Sequence, residues 1–151
     1  MTRAAESAHA ALEALAAQLG VAHAVRFLGA VDAAERDTWL DRAHAFVMPS
    51  RIPGGRGGEG FGIAFVEAGA HGLPVLAGDR GGAVDAVRHG ETGLLVDATD
   101  PAAVGEGLVA LLTDRALARR LGAAGAERAG ELAWPRVAAA VEDVLREVRA
   151  A

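Results

Sequence analysis

Short apolar runs alternate with longer amphipathic segments along this chain, a pattern that predicts strands alternating with helices. Each apolar run ends at a glycine, a proline or a polar residue, as strands at a loop boundary do. The predicted strands cover residues 25–28, 45–48, 75–78 and 94–96. The predicted helices cover residues 3–19, 32–43, 63–71, 81–89 and 114–122, with further helices beginning at Asp100 and around Val137.

Two of these helices are marked by their apolar residues. Leu12, Leu15 and Leu19 recur at helical intervals in the first. In the second, we expect Trp39 and Leu40 to face inward.

The alternation of strands and helices predicts an α/β fold with a parallel sheet covered by helices on both faces. A chain of 151 residues fits a single domain of this kind, spanning residues 1–151. In such sheets the ligand binds in the loops at the carboxyl ends of the strands. Those loops, which hold the glycine-rich segments, are residues 29–32, 49–62, 79–82 and 97–100.

Two glutamates flank a run of backbone amides in the second of these loops. Glu59 lies in the glycine-rich loop and Glu67 on the helix that the loop opens. Glycine lets the backbone approach a ligand closely, and the positive end of the following helix favours a phosphate group. The segment therefore predicts a nucleotide-sugar site, with one acid on the sugar, the other on a second diol, and phosphate on the amides of Gly60, Phe61, Gly62 and Ile63.

Simpler interpretations of the same residues stay open. The loop is alternatively a connector without a ligand, and Glu59 and Glu67 are then ordinary solvated acids. The pair Gly81–Gly82 is either a second point of close backbone approach or a turn that opens a helix with Asp85 in its first turn. Loop arginines that would pair with phosphate are Arg51, Arg56 and Arg80.

Composition excludes several classes of protein. The net charge of −5 leaves no basic face for nucleic acid. With no cysteine there is no disulfide and no thiol chemistry, and the five histidines lack metal-ligand spacing, so we predict neither a metal nor a cofactor. No apolar run reaches the roughly 18 residues that span a bilayer, so a cytoplasmic domain is the expectation.

A dinucleotide site is the competing motif. Residues 55–60 match G-x-G-x-x-G, and Asp79 follows at the distance where such a site places an acid. However, residues 49–54 separate these glycines from the preceding strand, and the helix begins only after the match. The dinucleotide-binding domain is therefore kept as a minor alternative.

From about Leu12 to Val148 the chain resembles the carboxyl-terminal domain of retaining GT-B glycosyltransferases of family GT4. Within the family, residues 48–62 and 78–82 look most similar to bacterial mannosyltransferases that act on phosphatidylinositol mannosides. The markers, in order, are residues 27–29, 48–50, 59–63 with Glu67, 72–75, 81–82, 90–96 and 121–122.

The resemblance implies a role for each site residue. Glu59 would bind hydroxyls of the transferred sugar as the catalytic contact, and Glu67 would bind the ribose of the donor. The loop from Gly29 to Val31 would contact the base. The amides of residues 60–63, with Gly82 as a second approach point, would hold sugar and diphosphate. The donor would be a nucleotide-diphosphate sugar such as GDP-mannose, with the leaving diphosphate assisting deprotonation of the acceptor and without a metal.

The chain also departs from the family pattern. Set against the family pattern, we expect the amino-terminal acceptor domain to be absent, together with the first strand of the donor domain and its Arg and Lys, and Asp85 stands where the family usually has Glu. We therefore expect a donor-binding part that is incomplete alone, working with an acceptor domain or subunit at the inner face of a membrane. The alternatives are a non-catalytic nucleotide-sugar-binding or partner subunit, and a chain that self-associates to complete its sheet.

Overall fold

The computed structural model describes residues 3–51 and 59–150, and side chains within residues 7–51 and 59–149. The chain divides into two compact units, Met1–Arg36 and Asp37–Ala151. The glycine-rich residues 52–58, which include Arg56 and most of the G-x-G-x-x-G match, lie outside the described residues.

The first unit consists mainly of helix α1, Arg3–Gln18, followed by a short 3₁₀ helix at Ala22–Ala24. The predicted first helix is thus confirmed. The leucines that recur along it, Leu12, Leu15 and Leu19, are 53%, 48% and 66% exposed. Within this unit the rings of His9 and Phe27 lie 5.0 Å apart between centroids.

The strand predicted at residues 25–28 does not form. A strand needs hydrogen bonds from a neighbouring backbone, and the three strands among the described residues pair only with one another. An apolar run of this length can form a strand only where a neighbouring strand is available to pair with it. Beyond it, α2, Ala33–Arg42, begins in the first unit and ends in the second. The predicted Asp32 cap is confirmed, since the Glu35 N–H donates to Asp32 Oδ1 at 2.8 Å.

The second unit holds a parallel sheet of three strands in the order β1-β2-β3. The strands are β1, Phe46–Met48, β2, Val75–Gly78, and β3, Gly93–Val96, close to the predicted bounds. Helices connect and flank them: α3, Ile63–Ala70, α4, Ala83–Ala86, α5, Pro101–Thr113, α6, Arg115–Glu131, and α7, Trp134–Ala150. The α/β prediction with a parallel, helix-covered sheet is confirmed.

The central strand β2 divides the core of this unit into two clusters, because successive side chains of a strand point to opposite faces. Val75 and Ala77 pack with α3 and α4 on one face, where the Phe65 ring also meets Phe46 edge to face at 5.9 Å. Leu76 packs on the other face with Leu111 of α5 and Leu121 of α6. All four residues of β2 are buried, which makes it the element from which the following loops are positioned.

Two helix ends differ from the prediction. Helix α4 ends at Ala86 rather than near His89, because His89 instead forms a bridge with Gly93 and accepts the Leu95 N–H on Nδ1 at 3.0 Å. Helix α6 continues to Glu131 rather than ending at Gly122. Gly122 serves packing and not termination, since an added Cβ would collide with the Gly72 carbonyl oxygen.

Of the two α2 residues that were predicted to face inward, only one is buried. Leu40 is 9% exposed and belongs to the core, whereas Trp39 is 37% exposed. Adjacent residues on a helix diverge by about 100°, so only one of two neighbours can face a core squarely.

Candidate functional site

The loop that opens helix α3 is bent by glycine at its last position. Gly62 has φ 95°, a left-handed conformation that side chains rarely adopt, and a Cβ there would collide with the ring of Phe65. The Gly62 carbonyl oxygen accepts the Phe65 N–H at 2.9 Å. The helix therefore begins at Ile63 directly behind the loop, and the N–H groups of Ile63 and Ala64, which precede that hydrogen bond, point toward the amino end of the helix.

The same loop lies directly on the turn that follows strand β2. The Gly82 N–H donates to the Glu59 carbonyl oxygen at 2.8 Å. A Cβ on Gly82 would collide with the Gly60 carbonyl oxygen and lie 2.6 Å from the Phe61 nitrogen. Any residue other than glycine at position 82 would therefore push the loop away. The structure thus brings the predicted residues 59–63 and Gly82 together on one surface.

The two glutamates flank the amino end of α3 along the chain, Glu59 before it and Glu67 after it. Glu59 is half-buried at the start of the loop, and Glu67 is half-buried in the second turn of the helix. Glu67 follows Ile63 by four residues, so it stands one turn, about 6 Å, behind the helix start. Between the two acids lie the first amides of α3, whose partial positive charge favours an anion. Along the chain the segment therefore offers a carboxylate, a group of N–H donors and a second carboxylate, in that order.

Gly29 and Val31, predicted to contact the base, belong to the first unit. Gly29 has φ 70° with open space where a Cβ would stand, and Val31 is half-buried. Their role toward the donor stays a prediction.

An apolar groove runs beside the amino end of α3. Phe61 and Ile63, 37% and 64% exposed, lie on one side of it with Glu67, and Trp134 at the start of α7 lies on the other. The cavity measures about 590 Å³. Trp134 was not among the predicted site residues, although an 81% exposed tryptophan at a helix start is unusual. Its signal in the sequence is a rare aromatic residue set between Ala133 and Pro135, at a break between helices.

A second cavity of about 440 Å³ lies at the carboxyl ends of the three strands. The loop arginines Arg51 and Arg80, singled out from the sequence, both line it. So does Asp97, whose pKa is lowered mainly by hydrogen bonds from the Thr99 hydroxyl at 2.6 Å and the Thr99 N–H at 2.8 Å, and to a smaller extent by Arg80. The position agrees with the expectation that ligands bind at this edge of the sheet.

A third cavity, of about 290 Å³, lies against α6 and is lined mainly by charged side chains. Arg120 donates to the Gly90 carbonyl oxygen at 2.7 Å, and Arg128 donates to Glu131 at 2.9 Å. The hydrogen bond from Arg128 lowers the pKa of Glu131, with Arg88 and Arg136 adding a smaller electrostatic effect. Two of its arginines thus already have acceptors within the chain.

Within residues 3–51 and 59–150, no group of three or more His, Asp or Glu side chains could hold a metal ion. No helix in the same part of the chain is both long and apolar enough to cross a membrane.

Comparison with known proteins gives a consistent family. The family model described as "Glycosyl transferases group 1" matches residues 6–128. A GDP-mannose-dependent alpha-(1-6)-phosphatidylinositol monomannoside mannosyltransferase of Mycobacterium tuberculosis is 42% identical over 137 residues, which cover 89% of this chain and 36% of that protein. A D-inositol 3-phosphate glycosyltransferase of Streptomyces avermitilis is 41% identical over 133 residues, 88% of this chain and 27% of that protein.

Among solved structures, the sucrose-phosphate synthase of Thermosynechococcus elongatus superposes with a TM-score of 0.79 at 33% identity, over 92% of this chain and 34% of that one. The chain therefore spans about a third of the length of the relatives that it matches.

Proposed function

The chain belongs to the glycosyl transferases group 1 family, and from this premise we propose that it is the donor-binding part of a retaining, nucleotide-sugar-dependent hexosyltransferase. The observation that carries the proposal is the loop of residues 59–62, fixed on Gly82 and opening α3 between two half-buried glutamates. A nucleotide-diphosphate sugar carries hydroxyl groups at both ends of a diphosphate, and Glu59, the first amides of α3 and Glu67 follow one another in the matching order along the chain.

Each group has a defined task in the proposed complex. The diphosphate lies on the first amides of α3, where aligned N–H groups stabilise the charge that develops as the sugar departs. Glu59 accepts hydrogen bonds from the transferred sugar, and Glu67 accepts them from the ribose. The groups position the donor rather than attack it. The bond from the anomeric carbon to the diphosphate breaks, the acceptor oxygen forms its bond on that same face and gives its proton to the leaving diphosphate, and the anomeric configuration is therefore retained.

GDP-mannose is the donor that we propose, since one relative carries that donor in its name. The names of both relatives place inositol on the acceptor side, once with a phosphate and once within a phospholipid. A phosphorylated polyol is therefore the proposed acceptor class. We propose further that a second domain or subunit completes the acceptor site, so the 151-residue chain alone transfers sugar slowly.

Calorimetric titration of the chain with GDP-mannose, UDP-glucose and NAD tests the donor assignment. We expect binding of a sugar nucleotide and a loss of about tenfold or more in affinity for Glu67→Gln, since one charge-assisted hydrogen-bonding group is worth about 1.5–3 kcal/mol. Glu106→Gln, the same change on the exposed surface of α5, is the matched control and keeps the affinity of the unchanged chain. Preferential binding of NAD would instead support the dinucleotide alternative.

A transfer assay with D-inositol 3-phosphate as acceptor tests whether the chain is incomplete alone. Rapid transfer by the isolated chain would contradict that part of the proposal while leaving the donor assignment intact.

A further inference from the structure

The charged cavity against α6 is bounded on its other side by the segment that joins α4 to β3. This segment is folded on itself, because the Thr92 N–H donates to the Arg88 carbonyl oxygen at 3.0 Å and the Arg88 N–H donates to Thr92 Oγ1 at 2.9 Å. From α6, the Arg120 guanidinium donates to the Gly90 carbonyl oxygen at 2.7 Å and ties the segment to the helix. Both walls of the cavity are therefore fixed by contacts within the chain.

The lining of this cavity carries equal numbers of both charges. Along α6 the lining positions recur at helical intervals on one face, with the small side chain of Ala124 among them. A ligand of one charge would be attracted by half of the charged groups and repelled by the other half, whereas a ligand with both charges can pair with all of them. The six charged residues are Arg88, Arg120, Arg128, Glu91, Glu127 and Glu131.

The charges differ in depth. The Arg128 side chain is 21% exposed, whereas Glu131 and Glu91 are 49% and 68% exposed. Arg128 Nη1 donates to Glu131, but its Nε is buried and has no hydrogen-bond partner among the described residues, an arrangement that costs free energy. A small rotation of this guanidinium toward an oxyanion in the cavity would give Nε an acceptor. The deeper part of the cavity therefore favours an oxyanion, and the carboxylates stand closer to solvent.

The other two arginines keep donors available. Arg88 Nη1 lies 3.8 Å from Glu91 Oε2, which is too long for a hydrogen bond. The hydrogen bond from Arg120 to Gly90 engages only one of the five N–H donors of its guanidinium. Guanidinium groups bind carboxylates through two parallel hydrogen bonds. The cavity thus holds donors for a carboxylate and, in its own carboxylates, acceptors for an ammonium group.

We propose that this cavity binds a small zwitterion of the amino acid class, with its carboxylate on the three arginines and its ammonium group on Glu91 and Glu127. At about 290 Å³ the cavity lies at the lower end of small-ligand pockets, about 300–1,000 Å³, which limits the ligand to the size of a single amino acid. None of the six charged residues belongs to the loop of Glu59, to Gly82 or to α3. The inference therefore does not rest on the proposed function.

Calorimetric titration of the full chain with γ-aminobutyrate tests the proposal, with butyrate and butylamine as matched arms that each lack one charged end. We expect γ-aminobutyrate to bind about tenfold more tightly than either arm, since each arm loses one charge-assisted contact. Equal affinity for γ-aminobutyrate and butyrate would overturn the ammonium contact and with it the ligand class. A folded chain that binds none of the three compounds would overturn the site.

Two exposed positions separate the carboxylate contact from the ammonium contact. Arg88→Gln should weaken γ-aminobutyrate and butyrate about tenfold and leave butylamine unchanged, whereas Glu127→Gln should weaken γ-aminobutyrate and butylamine and leave butyrate unchanged. Arg119→Gln, at an exposed arginine of α6 outside the cavity, and Glu106→Gln on α5 are the matched controls and should change none of the affinities. Affinities that neither Arg88→Gln nor Glu127→Gln changes would place the ligand elsewhere and overturn the site.

The affinity for GDP-mannose separates this site from the proposed donor site. Arg88→Gln should keep that affinity within about twofold, because the two sites share no residue. A folded Arg88→Gln chain that lost GDP-mannose binding would show that the cavity is part of the donor site and would overturn this inference. A chain that bound γ-aminobutyrate but no sugar nucleotide would support this site and overturn the proposed function.

Discussion

The two ends of helix α3 differ in how they are built. At the carboxyl end, backbone packs on backbone: a Cβ on Gly69 would lie 2.9 Å from the Gly125 carbonyl oxygen, and Gly122 lies against the Gly72 carbonyl oxygen. At the amino end, the loop rests on Gly82 while Phe61 and Ile63 stay exposed. A short helix with one end fixed in the core can present the other end, with its unpaired N–H groups, to a ligand without collapsing over it.

The largest effect on stability should come from a substitution at the carboxyl end of α3, where the helix is fixed in the core. Gly122→Ala places a Cβ against the Gly72 carbonyl oxygen, and overpacking of this kind costs about 1–3 kcal/mol of unfolding free energy. Urea unfolding followed by circular dichroism measures the loss. Gly105→Ala is the control, because that helix position has open space within 4 Å and alanine there should stabilise by about 0.5–1 kcal/mol. Equal urea midpoints for the two variants would show that Gly122 of α6 is not in close contact with the Gly72 carbonyl oxygen just beyond α3.

A substitution at the amino end of α3 should reduce donor affinity more than it reduces the free energy of unfolding. In Gly82→Ala the Cβ displaces the Gly60 carbonyl oxygen and with it the loop that carries Glu59. We expect GDP-mannose affinity to fall about tenfold, equivalent to about 1.4 kcal/mol, with a smaller stability loss than in Gly122→Ala because an exposed loop can move. If Gly82→Ala remained folded and kept its donor affinity, Gly82 would not be needed to position the donor site. Gly105→Ala again serves as the control, with unchanged donor affinity.

The smallest effect concerns a polar contact at the fixed end. Asp41 Oδ1 lies 2.6 Å from His71 Nδ1, beyond the last residue of α3, but the Asp41 side chain is 68% exposed. An exposed pair of this kind contributes about 0.2–1 kcal/mol, so Asp41→Asn should shift the unfolding midpoint far less than Gly122→Ala. A loss as large as that of Gly122→Ala would mean that the polar contact, rather than close packing, fixes this end of the helix.

The sequence predicted the elements of the second unit well because their signals are local. Glycine and proline next to the apolar runs mark the ends of the buried strands. Asp100 before Pro101 marks the start of α5. Neither signal depends on residues that are distant in the sequence. The structure brings residues 59–63 and Gly82 together, and their role toward a donor stays a prediction.

The predictions that were wrong concern residues whose structure is set by contacts with distant parts of the chain. Gly122 looks like a helix stop, and only the Gly72 carbonyl oxygen opposite shows that it is a packing position. Residues 25–28 look like a strand and lack a described strand to pair with. The meeting of Arg51, Arg80 and Asp97 in one cavity follows from the order of the strands, which the sequence does not specify.

The most direct test of the donor site is a map of backbone amide shifts on titration with GDP-mannose. The account predicts the largest shifts at the amides of residues 60–64 and Gly82, where the diphosphate would meet the start of α3. Largest shifts confined to the α6 cavity of Arg120 and Arg128, with no change at residues 60–64, would contradict it.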